Sequence, residues 1–437
     1  MVNAPSGAAP VISAWTAVSP LGLRGSDFTA ALRSGRPAAR PLDPEEWSAP
    51  FREASLVPDF HIRQILGRKG TRSMDRATGL AVTAIRHLLT GEREYGEGER
   101  LPGVGEETGL ALGTSTGSAQ SIMDFTRDSL VGEKPFYVDP ARFPNTVMNC
   151  AAGQSAIWHG LRGPNTTIAG GRATGLLALR YAVRLQRAGR ARAVLCGAVE
   201  EFSSARAWLE WHARADENSA AVLGEGAAVW LLEPDASARE HGREGLAEVV
   251  GLEFGCAADA KAARTVLAET IGRLLDRTGV TPGELSAVAD SGAPGAEGEA
   301  ELAALADALG GKEPPRITAA DTIGDTCAAA AAFQIAAVLA MAERDPSGVA
   351  SGRGHLPAVA GGEPKGRAAV VRESARRPLR NEGAEHGRPS TGGTSQRQLG
   401  EAEAPRRRTE PLKRGATALV TTVDRDGVVG AALLRIR

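Results

Sequence analysis

Short apolar strands alternate with amphipathic helices along most of this sequence, and the alternation limits the folds open to it. One series runs from a predicted strand at residues 9–15 to another at 224–233, and a second series of similar order starts at residue 245. Alternation of this kind predicts an α/β fold in which helices cover the sheets. The repeated order predicts two similar halves, 1–235 and 236–437, although their residue-by-residue similarity is too weak to demonstrate a duplication.

The segment 363–414 interrupts the second series. Its 52 residues include no aromatic residue, are rich in Gly, Pro, Ser, Arg and Glu, and carry 13 Lys and Arg against 7 Asp and Glu. Such a composition buries too little apolar surface to offset the entropy of an ordered chain. We therefore predict a disordered insertion here, after which a strand–turn–strand pattern closes the sequence at 416–437.

Composition narrows the possible partners and locations. The 437 residues are 42% hydrophobic and 24% charged, with a formal net charge of −1. These values are ordinary for a globular protein and give no reason to expect nucleic acid or a membrane as a partner. The most apolar stretch, 327–342, is shorter than the roughly 20 residues of a membrane helix, so we predict a buried helix. The first 15 residues do not resemble a signal peptide, and we predict a cytoplasmic protein.

The four cysteines and His159 are predicted to have structural roles rather than catalytic or metal-binding ones. Cys150, Cys196, Cys256 and Cys327 lie far apart without a Cys-x-x-Cys pair, which indicates neither a zinc site nor a disulfide framework. We expect reduced, buried thiols, with no metal and no cofactor. We also expect His159 to be a core or interface histidine rather than a catalytic one.

An unusual charge stands where a predicted strand passes into a helix, within residues 166–179. The small residues Gly170 and Gly171 form a tight turn, and Arg172 follows at the start of the helix. A helix N-terminus favours negative charge, so a cation there is unfavourable by roughly 0.3–1 kcal/mol. This position therefore calls for a specific partner for Arg172.

Several segments together resemble the β-ketoacyl synthases, or ketosynthases, of the thiolase fold. The segments are 11–22, 143–168, 188–203 and 223–234, and the last of them contains a Gly-Glu-Gly strand. The resemblance covers residues 10–344 and 416–437. It implies a layered α/β/α/β/α arrangement of two similar halves. It also implies structural hydrogen bonds for Glu200 and Glu201.

The residues that carry the family's chemistry differ in this chain. The resemblance places Arg172 at the nucleophilic cysteine, Asp290 and Asp325 at the two histidines, and Ala320 at the lysine. It therefore implies that no thioester forms here. It also implies that both aspartates share a pocket with Arg172, so we expect at least one of them to pair with its guanidinium. The alternative is three independently substituted residues in a pocket that admits water.

The family's glycine-rich gate, with its central phenylalanine, is also altered. The corresponding segment, 423–429, places Arg425 at the phenylalanine and flanks it with Asp424 and Asp426. In chain length factors the helix after the third strand lines part of the acyl tunnel. The resemblance therefore implies tunnel candidates at Ala119, Ile122, Met123 and Thr126, although helical spacing equally fits core packing.

The resemblance implies a catalytically inactive subunit, a chain length factor that pairs with an active Cys-bearing ketosynthase in polyketide or fatty-acyl assembly. An acyl carrier protein is then a second partner, and the strand at 165–170 is expected to form the dimer interface. Two alternatives remain at this point. One is a homodimeric scaffold or regulatory protein, and the other is a loading ketosynthase that decarboxylates malonyl units, which the loss of both histidines disfavours.

Overall fold

The computed structural model describes residues 10–91, 100–213, 221–342 and 410–437. The strands are β1 (Pro10–Val18), β2 (Arg40–Pro41), β3 (Glu53–Ser55), β4 (Gly109–Gly113), β5 (Asn165–Ile168), β6 (Val194–Glu200), β7 (Leu223–Gly224), β8 (Gly226–Pro234), β9 (Ala247–Cys256), β10 (Leu285–Ala289), β11 (Arg316–Ile317), β12 (Thr417–Val423) and β13 (Val428–Ile436). The α-helices are α1 (Gly25–Ser34), α2 (Ile62–Ile65), α3 (Arg76–Thr90), α4 (Ala119–Val131), α5 (Cys150–His159), α6 (Thr174–Arg187), α7 (Ser204–Ala213), α8 (Asp235–Glu240), α9 (Ala260–Thr278), α10 (Gly295–Ala308), α11 (Ala320–Ile323) and α12 (Ala330–Met341).

Ten strands form one mixed sheet with the order β11-β10-β12-β13-β9-β1-β8-β6-β4-β5. A small second sheet has the order β2-β3-β7. In the large sheet β4 lies parallel to β5 and β6, whereas β8 is antiparallel to both of its neighbours. The strands β10 and β13 repeat these relations: β10 lies parallel to β11 and β12, and β13 is antiparallel to β12 and β9.

The large sheet therefore contains the same five-strand order twice. The strands β5-β4-β6-β8-β1 correspond one by one to β11-β10-β12-β13-β9. The two sets meet where Val11 and Ile12 of β1 pair with Glu248 and Ala247 of β9. This repeat agrees with two series of similar order in the sequence, and the precise boundary at residue 235 stays a prediction.

Side chains of alternate residues on each strand enter different layers. On β6, Val194 and Cys196 join the central apolar cluster that includes α6 and α12, while Leu195 and Val199 face α3 and α5. The strand β12 behaves in the same way: Ala418 and Val420 face the central helices, and Leu419 and Val423 face α9 and α10. Because successive side chains of a strand point to opposite faces, each half of the sheet contacts helices on both faces. The helices α6 and α12 lie on the inner faces, and α3, α5, α9 and α10 lie on the outer faces. The predicted α/β/α/β/α thiolase-like arrangement is confirmed.

The central helix α12 is buried along its whole length, as predicted for the Ala-rich stretch. All twelve of its residues are buried, and half of them are alanines that let neighbouring helices approach closely. No helix in the described ranges is both long and apolar enough to span a membrane.

The predicted insertion can be compared with the structure only at its end. Residues 363–409 lie outside the described residues. The predicted end at residue 414 is wrong, because 410–414 already belong to the folded part of the chain. Leu412 is buried there, and its N–H donates to the Met341 carbonyl oxygen at 2.6 Å.

One glycine permits the close approach of α6 to α12. A Cβ atom on Gly175 would lie 2.4 Å from the backbone nitrogen of Ala332 and 2.9 Å from the carbonyl carbon of Ala331. Backbone atoms cannot swing away as a flexible side chain can, so the two helices would have to separate. We therefore expect Gly175→Ala to lower the free energy of unfolding by roughly 1–3 kcal/mol, as overpacking does.

The measurement is urea denaturation, with Gly272→Ala as the matched control. Gly272 lies in α9 with no atom within 4 Å of its built Cβ, so alanine there should leave stability unchanged or raise it by up to about 1 kcal/mol. Equal effects of the two substitutions would contradict the close contact.

Candidate functional site

Arg172 lies at the turn between β5 and α6, in the short 3-10 turn Gly171–Ala173. Gly171 precedes it with a φ of +53°, and a Cβ there would overlap the Asp424 carboxylate at 1.9 Å. Glycine is therefore required at this position both for the backbone conformation and for the close approach of Asp424. The turn leaves the Arg172 side chain 5% exposed, so its charge needs a partner inside the protein.

The partner of the guanidinium is Asp325. The Arg172 Nη2 atom lies 2.6 Å from Asp325 Oδ2, and both side chains are buried. Asp325 follows α11, and its other oxygen, Oδ1, accepts a hydrogen bond from Cys327 N at 2.9 Å. The two carboxylate oxygens therefore have different donors, one a charged side chain and one a backbone N–H.

The charges at this pair hold both groups ionised. Burial alone would raise the pKa of the Asp325 carboxyl, but the charges of Arg172 and Arg206 and the hydrogen bond from Cys327 lower it to about 2. Burial alone would lower the pKa of Arg172, but Asp325 more than reverses this and the pKa is raised. One donor, Arg172 Nε, has no partner among the described residues.

A second carboxylate occupies the backbone of the same turn. Arg172 N donates to Asp424 Oδ1 at 2.8 Å, and Asp426 N donates to Asp424 Oδ2 at 3.0 Å. Asp424 stands at the tight turn between β12 and β13, where its own N–H donates to the Val428 carbonyl oxygen. A carboxylate therefore lies at the start of this helical segment, as the helix dipole favours. It is the side chain of Asp424, which belongs to the gate segment.

The gate segment, residues 423–429, also forms an ion pair with helix α7. Arg425 Nη2 lies 2.6 Å from Glu210 Oε1 on α7, and Glu210 is buried. All three gate residues named from the sequence thus have defined positions: Asp424 and Asp426 in the turn, and Arg425 in an ion pair with α7.

The structure separates Asp290 from this network. Asp290 directly follows β10, and its Oδ2 accepts hydrogen bonds from Arg316 Nε at 2.8 Å and from Thr318 Oγ1 at 3.0 Å. The expectation that at least one of the two aspartates pairs with Arg172 therefore agrees with the structure through Asp325, while Asp290 has other partners. The reason is local, because β11 lies beside β10 and places Arg316 opposite Val288, two residues before Asp290. Ala320, at the lysine position, begins α11.

Arg206 is a buried residue of the site that sequence reasoning missed. Its guanidinium donates to three backbone carbonyl oxygens: Glu201 at 2.8 Å, Gly224 at 2.7 Å and Asp325 at 3.0 Å. It thereby ties α7 to the segment that carries Asp325. No motif marks this arginine in the sequence, since its role depends on carbonyl groups that only the fold brings together.

The structural expectations for the neighbouring glutamates agree with their contacts. Glu200 accepts hydrogen bonds from Ser115 Oγ and Ala328 N, and Glu201 accepts them from Ser118 Oγ and Gln120 N. Burial raises the pKa of both carboxyls, to about 8 for Glu201.

The thiols and His159 lie in the packed interior, with one exception. Cys150, Cys196 and Cys327 are buried, and burial raises the pKa of each thiol. Cys256 is exposed at the end of β9, so the expectation of a buried thiol is wrong there. His159 is buried against the Val82 carbonyl oxygen, and burial lowers its pKa to about 4.

The tunnel candidates on α4 do not share one environment. Ala119 is buried, Ile122 is half-buried, and Thr126 is exposed. Met123 is 52% exposed. In the chain alone these four residues therefore line no common enclosed cavity, and their role in a tunnel depends on what covers α4.

The buried pair makes a testable contribution to stability. Arg172→Met leaves the Asp325 carboxylate buried without its charged partner, so we expect the free energy of unfolding to fall by about 3–5 kcal/mol. The measurement is chemical denaturation at pH 7. The matched control is Arg264→Met, which removes an ion pair with Asp307 in which both side chains are exposed, so its stability should stay close to that of the wild type.

The difference in unfolding free energy between the wild type and Arg172→Met should depend on pH in a defined direction. The pKa of Asp325 in the folded protein, about 2, lies below its ordinary value of 3.8, so its contribution is complete above pH 4 and is lost as the pH falls towards 2. The gap between wild type and Arg172→Met should therefore narrow below about pH 4. A gap that stays constant from pH 7 to pH 2.5 would contradict the ionised pair.

Comparison with known proteins gives a consistent family assignment. The model of the β-ketoacyl synthase N-terminal domain matches residues 10–238. The 3-oxoacyl-[acyl-carrier-protein] synthase 2 of Vibrio harveyi is 31% identical over 227 residues, which are 48% of this chain and 53% of that enzyme. The chain thus matches about half the length of this curated relative.

Two solved structures cover almost the whole chain. The ishigamide ketosynthase/chain length factor is 36% identical, with a TM-score of 0.75 over 98% of this chain and 99% of that one. A type II PKS acyl-carrier protein in complex with its ketosynthase is 18% identical, with a TM-score of 0.70 over 99% of this chain and 100% of that one, which bears on the fold alone. The family model covers more than half of the sequence, and the fold agrees with it along the rest of the described chain. This chain belongs to the β-ketoacyl synthase family and has its thiolase fold.

Proposed function

We propose that this chain is a ketosynthase-like subunit that does not carry the acyl group itself, a chain length factor that pairs with a Cys-bearing ketosynthase in polyketide or fatty-acyl assembly. The observation that carries the proposal is the buried ion pair between Arg172 and Asp325 at the turn where the family has its nucleophile. The similarity to the ishigamide ketosynthase/chain length factor supports it.

The chemistry of the turn argues against acyl transfer on this chain. A guanidinium that stays protonated cannot attack a thioester, and the ionised Asp325 carboxylate, at one of the histidine positions, offers no hydrogen-bond donor to a developing oxyanion. The backbone N–H of Arg172, which faces the turn, already donates to Asp424. The neighbouring Cys327 has a raised pKa because it is buried, so it supplies little thiolate.

Intact-mass spectrometry tests this assignment of roles. After incubation of the complex with an acyl-loaded carrier protein, we expect the acyl adduct on the Cys-bearing subunit and none on this chain. Condensing activity of the complex should not require Arg172→Cys. The control is a complex whose ketosynthase has lost its nucleophilic cysteine, which should carry no adduct. A stable adduct on this chain, at Cys150 or Cys327 for example, would overturn the proposal.

The strand β5 provides an edge for pairing with another subunit. It ends the ten-strand order and contacts β4 on one side only. Leu110 N donates to the Pro164 carbonyl oxygen and Thr114 N donates to that of Ile168, so the even-numbered residues of β5 face β4. Asn165 and Thr167 therefore direct their N–H and C=O groups outward. An unpaired edge of this kind favours association with another strand.

Exposed apolar side chains on α4 and the segment after it strengthen the case for a covering subunit. They are Met123, Leu130, Val131, Phe136, Tyr137, Phe143, Val147 and Met148. Large apolar side chains gathered in one region of a surface mark an interaction site more often than scattered ones do. We propose that the partner covers this region and thereby completes a tunnel along α4, over an interface of more than roughly 2,000 Å².

Thr167→Pro tests the strand interface with little disturbance to the fold. Proline removes the outward N–H of Thr167 and leaves the hydrogen bonds to β4 in place, a position at which edge strands tolerate it. We expect the complex with the ketosynthase to dissociate in size-exclusion chromatography with light scattering. Thr167→Val keeps the N–H and should keep the complex. Equal binding by both variants would exclude the strand pairing.

A homodimeric scaffold is the second candidate, favoured by the same free edge of β5. It makes a different prediction, namely a stable dimer that no ketosynthase displaces and that supports no condensation. The absence of both family histidines continues to disfavour a malonyl-decarboxylating enzyme. We propose an acyl carrier protein as a transient partner of the complex rather than of this chain alone.

A further inference from the structure

A basic cleft lies beside the proposed interface. It has a volume of about 850 Å³ and runs between α6 and β9. Leu177, Val249 and Leu252 supply part of its apolar lining, and Ile168, the last residue of β5, stands at its border. Because one residue belongs to both features, the cleft is continuous with the edge at which the partner is proposed to pair.

Three arginines give the cleft its charge. Arg180, Arg184 and Arg187 are exposed and line it, and their spacing of four and three residues places them on one face of α6. Arg277 also lines the cleft but pairs with Glu253. No ion pair is found for the three α6 arginines within the described part of the chain. Arg180 instead lies over the Phe254 ring, at 5.1 Å from its centroid.

A second copy of this chain is a poor match for such a cleft. If two β5 strands paired around a two-fold axis, the axis would pass near the middle of the four-residue strand. Each Ile168, at the strand end, would then lie roughly 7 Å from the axis, which is half the length of the strand. The cleft of each copy would then border the same seam and place exposed arginines on both sides of it. Like charges that come within about one Debye length, roughly 10 Å at 0.1 M salt, repel each other. Like charges facing each other across an interface oppose association.

We propose that this arginine cleft selects the partner subunit by charge, disfavouring a second copy of the chain and favouring a ketosynthase with an acidic surface beside its own edge strand. The inference rests on the proposed pairing through β5 and adds the property that decides which chain pairs there. The cleft serves as a docking surface for acidic side chains of that subunit, and its apolar lining accommodates the stems of those side chains.

The first test needs only this chain. The triple variant Arg180→Glu/Arg184→Glu/Arg187→Glu is mixed in equal amounts with wild type, and sedimentation velocity measures dimer formation at 50 and 500 mM NaCl. At low salt we expect the mixed dimer to form at least tenfold more tightly than either homodimer. Raising the salt should strengthen wild-type self-association and weaken the mixed dimer. Equal affinities of all three dimers at 50 mM NaCl would overturn the charge selection.

The second test uses a Cys-bearing ketosynthase as the binding partner. We expect the triple variant to bind it at least tenfold more weakly than wild type at 50 mM NaCl. The matched control, Arg36→Glu/Lys261→Glu/Arg52→Glu, reverses three exposed cations outside the cleft and should bind as wild type does.

The two tests separate this inference from the proposed function. If Thr167→Pro abolishes binding while the triple variant binds normally, the strand interface stands and the charge selection is wrong. If neither substitution changes binding, the interface through β5 is wrong as well. If the triple variant and its control weaken binding equally, the effect belongs to net charge and the cleft has no selective role.

Discussion

The close packing of α6 against α12 brings together the two charged residues of the candidate site. Gly175 allows the two helices to touch through their backbones, and each helix is preceded by a segment that carries a site residue. Arg172 comes just before α6, and Asp325 comes shortly before α12. Once the helices are in contact, the two charged side chains are brought within 2.6 Å, although 153 residues separate them in sequence. The ion pair is therefore a result of the central helix contact, and any change that separates the helices also weakens the pair.

The electrostatics of the turn resolve the apparent conflict at Arg172. A helix start favours an anion, and Asp424 supplies one by accepting the Arg172 N–H, while the arginine side chain reaches away from the dipole to Asp325. Backbone and side chain of the same residue are thus satisfied by two different carboxylates. The charges of Arg172 and Asp325 thus neutralise each other inside the protein.

The sequence predicted the parts of this structure that follow from local periodicity, and it failed where distant elements decide. The buried helix α12 and the strand–turn–helix around Arg172 follow from apolar spacing and from small residues at the turn. The partner of Asp290 does not, because Arg316 reaches it only through the parallel pairing of β10 and β11. The role of Arg206 likewise depends on three carbonyl groups from separate segments. The polar composition around Leu412 predicts disorder, but this leucine is buried and its segment is held by backbone hydrogen bonds to Met341 and Ile436, which are distant in sequence.

The two edges of the ten-strand sheet are unequal, and this sets how far assembly can proceed. At one end β5 has four residues, of which Asn165 and Thr167 direct their N–H and C=O groups outward, while at the other end β11 has only two residues, Arg316 and Ile317. A strand that short, carrying a charged residue engaged with Asp290, is a weak template for further pairing. Under the proposed pairing through β5, sheet extension begins at one edge and stops after a single addition. That pairing gives a closed pair rather than an open-ended fibre. Fibre growth is a form of aggregation to which a ten-stranded sheet with two long edges would be exposed.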